Sequence, residues 1–141
     1  MSSHQALLIF HLLVIALGVG FSASNFINTR LALRSDAEMQ KGLGLHRMTI
    51  ARWGDAVIAL IWLSGILLLW QRGMADLPPA FHIKLLFVVL LTLNHGMTRA
   101  TAGIMKRDKN MALLPRLSLF VGGVAVSAVI ALICAVLAFE A

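Results

Sequence analysis

Three ionisable side chains interrupt the mostly apolar stretch AFHIKLLFVVLLTLNHG at residues 80–96, namely His82, Lys84 and His95. Ionisable groups inside hydrocarbon are costly and therefore usually mark function. An imidazole can bind a metal or relay a proton, and an ammonium group can pair with an anionic ligand. In a helix, Lys84 and His95 would share one face about 16 Å apart, whereas His82 would point about 160° away from Lys84. Snorkelling of Lys84 to the headgroups is the alternative to a functional role.

A second set of polar and small residues lies near the N-terminus. His11, Gly18, Ser22 and Asn25 follow one another at spacings of seven, four and three residues. These spacings place them on one face of an α-helix. Such a face contacts other helices or a ligand rather than lipid. His11 is therefore either hydrogen-bonded to a neighbouring helix or part of a functional site.

The composition indicates which elements must position these residues. Of the 141 residues, 60% are hydrophobic and only 13% are charged, whereas a soluble domain carries about 25% charged residues. Runs of roughly 20 mostly apolar residues can cross a bilayer as helices. We therefore predict an all-α membrane protein, a single domain over residues 1–141 that forms an antiparallel bundle of four transmembrane helices. The predicted spans are approximately 5–28, 53–72, 79–100 and 115–139.

The distribution of basic residues predicts the orientation of the bundle. They concentrate in the first and third connections as Arg30, Arg34, Lys41, Arg47, Arg52, Lys106, Arg107 and Lys109. The positive-inside rule places these connections in the cytoplasm. Both termini and the 71–79 turn, which holds Arg72 and Asp76, then lie outside. We expect a multi-pass protein of the bacterial inner membrane, and the net charge of +6 requires no nucleic-acid partner.

Proline and glycine positions predict where the helices end. Pro79 and Pro115 suit the first turns of helices three and four. Residues 28–55 are too apolar for a flexible linker, so both flanking helices are expected to extend into them. We predict that these extensions are interrupted around Gly42 and Gly44.

Two further residues have structural interpretations. Asp55, near the start of helix two, is expected to pair with Arg52, Arg99 or another base of the inner leaflet. Cys134 is the single cysteine and lies deep in the last apolar run. A lone cysteine in such surroundings usually contributes packing.

The predicted topology restricts which polar residues can meet. Helices one and three both enter from outside, so His11 lies at the depth of His82 and Lys84, and His95 lies in the other leaflet. A haem iron with two axial ligands needs donor atoms only about 4 Å apart. This excludes the pair of His11 with His95. The pairs that remain are His11 with His82, His11 with Lys84, and His46 with His95.

Four short motifs occur in order along the chain: Phe10-His11, Trp62-Leu63-Ser64-Gly65, His82-Ile83-Lys84 and His95-Gly96. In order and spacing they resemble the HemJ-type membrane-embedded protoporphyrinogen IX oxidases over most of the chain, and FHIKLLFVVLL is the most specific part. The resemblance implies that His11 and Lys84 are catalytic and that haem b is bound. The candidate cofactor-binding residues are His11, His82, Lys84 and His95, with His11 as the ligand to haem iron.

The chain departs from that family's pattern at two places. Asp55-Ala56 stands where the family has asparagine–proline at the start of helix two. In helix four, Leu119-Phe120-Val121-Gly122 stands where the family has asparagine–glutamate–x–proline. The family's acidic residue in helix four is absent here, and this difference bears on which substrate is bound. The resemblance therefore fits a divergent relative that keeps the cofactor site.

The resemblance implies oxidation of a tetrapyrrole, with electrons passed to quinone or the respiratory chain. Haem b would be bound non-covalently, because the sequence has no cysteine–x–x–cysteine–histidine attachment motif. One alternative is a haem-binding membrane electron carrier, similar to the small cytochromes b or the copper-resistance D-like proteins. The other is a non-redox membrane protein whose polar residues hold helices together. The expected partners are the lipid bilayer and a tetrapyrrole or quinone, and a homo-oligomer is left open.

Overall fold

Four long α-helices account for almost the whole chain in the computed structural model, which describes residues 2–73 and 77–140, and side chains only to residue 137. They are α1 (Ser3–Ala32), α2 (Ala37–Arg72), α3 (Pro79–Asp108) and α4 (Leu114–Glu140), with a short 3-10 helix at Met111–Leu113. By length and composition, all four can cross a membrane. The predicted all-α four-helix bundle of a multi-pass membrane protein is confirmed. Asp76, assigned above to the outer turn, lies outside the described residues.

The helices are longer than a bilayer requires. α1 and α3 have 30 residues each, α4 has 27 and α2 has 36. At 1.5 Å per residue α2 is about 54 Å long, whereas the hydrocarbon core of a bilayer is about 30 Å thick. The end with the two chain termini and the α2–α3 connection is called the outer end, in accordance with the predicted topology. The end with the α1–α2 and α3–α4 connections is called the inner end.

Local sequence explains where three of the helices begin. The Ser2 hydroxyl accepts a hydrogen bond from the Gln5 backbone at 3.2 Å, and the Gln5 side chain accepts one from the Ser2 backbone at 2.9 Å. This reciprocal arrangement is a capping box for α1. As predicted, Pro79 is the first residue of α3, and Pro115 lies in the first turn of α4. A proline lacks only a donor that would be unpaired at these positions.

The prediction of a break around Gly42 and Gly44 is wrong. α2 begins at Ala37 and continues without interruption through both glycines. The chain turns earlier, where the Asp36 carboxylate caps α2 by accepting a hydrogen bond from the Met39 backbone at 2.9 Å. Each glycine costs a helix about 1 kcal/mol relative to alanine. Leu43, between the two glycines, packs against an apolar cluster at the inner end, and this contact offsets part of that cost.

The helices pack around a ring in the order α2, α1, α4, α3. α1 packs closely against α2 and α4, and α3 packs closely against α4. Neighbours run antiparallel, since His11 bonds to Ser64 at one end of the α1–α2 pair and Asn28 bonds to His46 at the other. Over the described lengths of both helices, α2 and α3 do not pack closely against each other and are joined by side chains instead.

An apolar core closes the inner end of the bundle. Its members are at most 5% exposed and are Ala32, Met105, Leu114, Leu117 and Val121. Phe26 and Leu43 pack against them, so all four helices contribute. Close packing of these side chains holds the four helices together at this end.

A close contact between α3 and α4 depends on Gly123. A Cβ atom at this position would lie 2.7 Å from Oδ1 of Asn94 on α3. Ser127, one turn further along α4, is also buried. The two small residues therefore let α4 approach its neighbours closely.

Two exposed tryptophans on α2 fit the boundaries of a bilayer. Trp53 and Trp70 are both largely exposed. They are 17 residues apart, which corresponds to about 26 Å along a helix, close to the thickness of the hydrocarbon core. Tryptophan is enriched at both membrane–water interfaces. The segment of α2 before Trp53 therefore extends beyond the membrane at the inner end.

Candidate functional site

His11 is buried between α1 and α2, and Ser64 determines its orientation. The residue is 3% exposed, and Nδ1 of the imidazole lies 2.7 Å from the Ser64 hydroxyl oxygen. Gly65 leaves room for the ring, because a Cβ atom there would lie 3.5 Å from Cε1 of His11. The last two residues of the Trp62–Gly65 motif thus hold the histidine. Sequence reasoning quoted Ser64 only as a member of that motif and missed its contact with His11.

The hydrogen bonds of Ser64 define where His11 carries its proton. The Ser64 hydroxyl donates to the Leu60 carbonyl at 2.5 Å. Its single proton is therefore used, and it must accept a hydrogen bond from Nδ1–H of His11. In a neutral imidazole the other nitrogen, Nε2, then has a free lone pair. Nε2 is buried and has no hydrogen-bond partner among the described residues, so it is available to a ligand.

A cavity of about 190 Å³ adjoins His11 in the outer half of the bundle. It is called the outer cavity, and its lining comes mainly from α1, α2 and α3. Lys84 lines the same cavity from α3. The structure therefore brings together His11 and Lys84, the two residues predicted to be catalytic.

The outer cavity combines apolar side chains with positive charge. Besides Lys84, Arg72 and His4 contribute to its lining. The lining residues that the structure describes include no carboxylate. Sequence reasoning treated Arg72 only as a loop charge and did not consider His4. The available signal was the spacing of seven residues between His4 and His11, which places both on one helical face.

A second cavity of about 70 Å³ lies between all four helices. It is called the inner cavity. Lys84 and Trp62 line both cavities, so the two cavities adjoin at these side chains. Gly18, Ser22 and Asn25 also line the inner cavity. The prediction that the polar face of helix one points away from lipid is confirmed.

His95 lines the inner cavity and pairs with Asp55. Its Nε2 lies 2.6 Å from one carboxylate oxygen of Asp55, and Nη2 of Arg99 lies 3.2 Å from the other. The expected pairing of Asp55 with Arg99 is therefore confirmed. A Cβ atom on Gly54 would lie 3.0 Å from Cε1 of His95, so a glycine is needed for this close approach of the ring to α2.

Two of the candidate histidines lie away from the outer cavity. His82 is exposed, with its ring edge-on to Phe81. Among the described residues that line the two cavities, His82 does not occur. His46 is bound to Asn28, with 2.6 Å between Nδ1 and Nδ2. The structure therefore does not join His82 to His11, or His46 to His95.

The remaining metal-binding groups do not form a site of their own. Within residues 2–73 and 77–140, no group of three or more His, Cys, Asp or Glu residues is arranged to hold a metal ion. Cys134 is buried and unpaired in that part of the chain.

No protein-family model, curated protein or solved structure matches this chain. The resemblance of its four motifs to the protoporphyrinogen oxidases therefore stays a prediction. The function is inferred from the geometry of the outer cavity.

Proposed function

We propose that the chain is an integral membrane redox protein whose outer cavity binds an anionic tetrapyrrole. The observation that carries this proposal is that His11, whose buried Nε2 has no partner among the described residues, and Lys84 line one mostly apolar cavity. A cation in surroundings of low dielectric constant favours an anionic partner. The apolar lining favours a flat apolar ring. Carboxylate-bearing tetrapyrroles combine both properties.

Lys84 and Arg72 are the candidates for binding the carboxylates of the ligand. Lys84 projects from α3 and Arg72 from the last turn of α2. A ligand with two carboxylates would therefore join the two helices that do not pack closely. Arginine can bind a carboxylate through two parallel hydrogen bonds, whereas lysine acts as a compact point charge.

The donor atoms of the site suit haem b, whereas the present volume of the outer cavity does not. Nε2 of His11 is the ring nitrogen that would hold the haem iron, because Nδ1 is bonded to Ser64, and bound haem would supply one-electron transfer. The outer cavity of about 190 Å³ is smaller than the roughly 300–1,000 Å³ typical of small-molecule sites. Binding therefore requires α2 and α3 to separate. The hydrogen bond of 3.0 Å from Trp62 Nε1 to the Thr92 hydroxyl is one bridge that would have to yield.

His11 can serve a redox reaction in two ways that exclude each other. If it held a haem iron, it would use the lone pair of Nε2. With a reduced tetrapyrrole as substrate, the same Nε2 would accept a proton while the electrons pass to a quinone acceptor. The ring cannot do both at once, because Ser64 occupies Nδ1. The spectrum of a His11 variant distinguishes the two roles.

Complementation of a bacterial strain that lacks its protoporphyrinogen oxidase tests the proposal, together with the absorbance of the purified protein. We expect restored growth and a Soret band that shifts on reduction with dithionite. His11→Ala should abolish growth, and it should also change the spectrum if His11 binds iron. His82→Ala, at an exposed histidine outside both cavities, is the matched control and should leave both readouts unchanged.

The failures of this experiment separate the alternatives. A Soret band without complementation would support a haem-binding electron carrier instead of an oxidase. Colourless protein from haem-replete cells that also fails to complement would refute the redox proposal and leave the polar residues as helix contacts.

A further inference from the structure

The inner cavity is mostly apolar, but it has the size to hold water and a few polar groups that can bind it. Its volume of about 70 Å³ suffices for a few water molecules, since one requires about 10–15 Å³ of such volume. Four residues with side-chain oxygens line it, namely Ser22, Asn25, Thr92 and Thr98. Oδ1 of Asn25 is buried and has no partner among the described residues. A buried acceptor without a partner destabilises the fold, and a hydrogen bond from water would remove that penalty.

Ionisable side chains lie along the inner cavity at two depths. Lys84 belongs to its lining and also to that of the outer cavity. His95 lies eleven residues further along α3, about 16 Å towards the inner end. α1 and α4 contribute no ionisable side chain to the described lining. Any proton transfer along this cavity therefore runs between Lys84 and His95.

Asp55 connects His95 to the surface of the protein. The hydrogen bond between His95 Nε2 and Asp55 Oδ1 is 2.6 Å long, and the two side chains are 15% and 46% exposed, respectively. Arg99 holds the second oxygen of Asp55 at 3.2 Å. With Nε2–H donating to the carboxylate, Nδ1 of a neutral His95 can accept a proton.

We propose that the inner cavity is a water-filled proton path from the outer cavity to the aqueous phase at the inner end, with His95 and Asp55 as its exit. A proton accepted at Nδ1 of His95 is balanced by one passed from Nε2 to Asp55, which releases it to water. Only N–H and O–H bonds form and break in this transfer. The path rests on the proposed function in one respect, namely that oxidation in the outer cavity supplies the proton.

Gly54 is a positioning residue for this exit. A side chain at residue 54 would come within 3.0 Å of the His95 ring, and such a distance forces the ring to move. Gly20, also inside a helix, has nothing within 4 Å of the corresponding Cβ position. Gly54→Ala should therefore disturb the exit, whereas Gly20→Ala should not.

Cysteine accessibility tests the water path without any assumption about the redox reaction. In a Cys134→Ala background, Ser22→Cys and Thr98→Cys place thiols on the lining of the inner cavity. Val129→Cys is the matched control, because Val129 is exposed on the outside of α4 next to Ala128, which lines the cavity. The probe is Ag⁺, a thiol-reactive cation about the size of a water molecule that follows water rather than lipid, applied to inside-out and right-side-out vesicles.

We expect both cavity thiols to react at least about tenfold faster than the lipid-facing thiol, because the reactive thiolate forms in water. The reaction should also be faster in inside-out vesicles, which expose the inner end under the predicted topology. Equal rates at cavity and lipid-facing positions would overturn the water path. Faster labelling from the outer end alone would overturn the assignment of His95 and Asp55 as its exit.

Turnover of the Asp55 variants tests the use of the path. Asp55→Asn removes the proton acceptor and should slow complementing activity about tenfold, whereas Asp55→Glu should restore it. Arg99→Gln removes the neighbouring salt bridge alone and should have a much smaller effect. Equal losses in Asp55→Asn and Arg99→Gln would mean that the cluster is structural and would refute the relay. Reactive cavity thiols in a protein without redox activity would refute the proposed function instead, so the two failures are distinguishable.

Discussion

The two ends of the bundle use the same helices for different purposes. At the inner end, Ala32, Leu117 and Val121 are almost completely buried in a continuous apolar core. In the outer half, a cavity of about 190 Å³ replaces such packing, and the buried Nε2 of His11 has no partner among the described residues. The difference indicates that the inner end provides stability, whereas the outer half leaves a cavity where the proposed ligand would bind.

α2 accounts for much of this difference. At the inner end it contributes Leu43 to the contacts around the core. Further along, its link to α3 depends on side chains such as Trp62, which bonds to Thr92. Side-chain bridges can open individually, whereas an interdigitated core resists separation because many contacts are lost together. Motion on ligand binding is therefore expected between the outer parts of α2 and α3.

The largest expected effect on stability comes from the inner core. Leu117→Ala should lower the free energy of unfolding by about 2–5 kcal/mol, the range for truncating a fully buried leucine. Leu119→Ala is the control on the same helix, because Leu119 is 76% exposed. Unfolding of both variants in mixed micelles, followed by circular dichroism, measures the difference. Similar losses for the two would contradict the placement of the core.

Lys84 provides the next largest effect, on activity rather than on folding. Lys84→Met should reduce tetrapyrrole oxidation about 100-fold or more, equivalent to about 2.7 kcal/mol, while the protein still accumulates in the membrane. Lys84→Arg should be nearly as damaging, because a planar guanidinium does not replace a compact ammonium group. Lys106→Met, at an exposed lysine near the end of the same helix, should be neutral. Wild-type activity from Lys84→Met would leave Lys84 as a membrane anchor.

Ser64 offers the smallest and most specific of these effects. Ser64→Ala removes the acceptor that keeps the proton of His11 on Nδ1, and loss of such a partner typically reduces activity or affinity for a metal by 10- to 100-fold. We expect a value near the lower limit, measured by haem titration and by turnover, together with a loss of stability of about 1–3 kcal/mol, because Nδ1–H of His11 is then buried without an acceptor. Ser64→Thr keeps the hydroxyl group and should rescue both readouts. Ser127→Ala, at a buried serine that lines neither cavity in the described structure, is the control.

The spans and their order were predictable from the sequence, because a membrane helix is marked by the local hydropathy and the length of an apolar run. The start of α2 was not predictable in this way. The prediction placed a break at Gly42 and Gly44, but whether a glycine ends a helix depends on tertiary contacts, and here Leu43 packs against the inner core. Asp36, which caps α2, is a residue type that commonly begins helices. The apolar character of residues 28–55 led to an expected helical extension there instead of a cap.

The site was predictable in part for a similar reason. Helical spacing and topology placed His11 and Lys84 at one depth, and both line the outer cavity. Spacing does not specify which direction a side chain takes relative to a neighbouring helix. His82 was therefore retained as a candidate although it is exposed. Ser64 was missed as a partner of His11, because a serine inside a helix commonly bonds to the carbonyl four residues before it, and only the structure reveals the additional contact.

The loose junction of α2 and α3 also has a consequence for how affinity should be measured. A ligand can reach the outer cavity sideways from the bilayer, because the two helices are held together by side chains rather than by close backbone packing. An apolar ring dissolved in lipid is concentrated there relative to water, so the mole fraction in the membrane sets the occupancy of the cavity. The ligand concentration at half-saturation, expressed per volume of buffer, should rise as lipid is added at constant protein. The same ligand amount expressed per mole of lipid should stay constant.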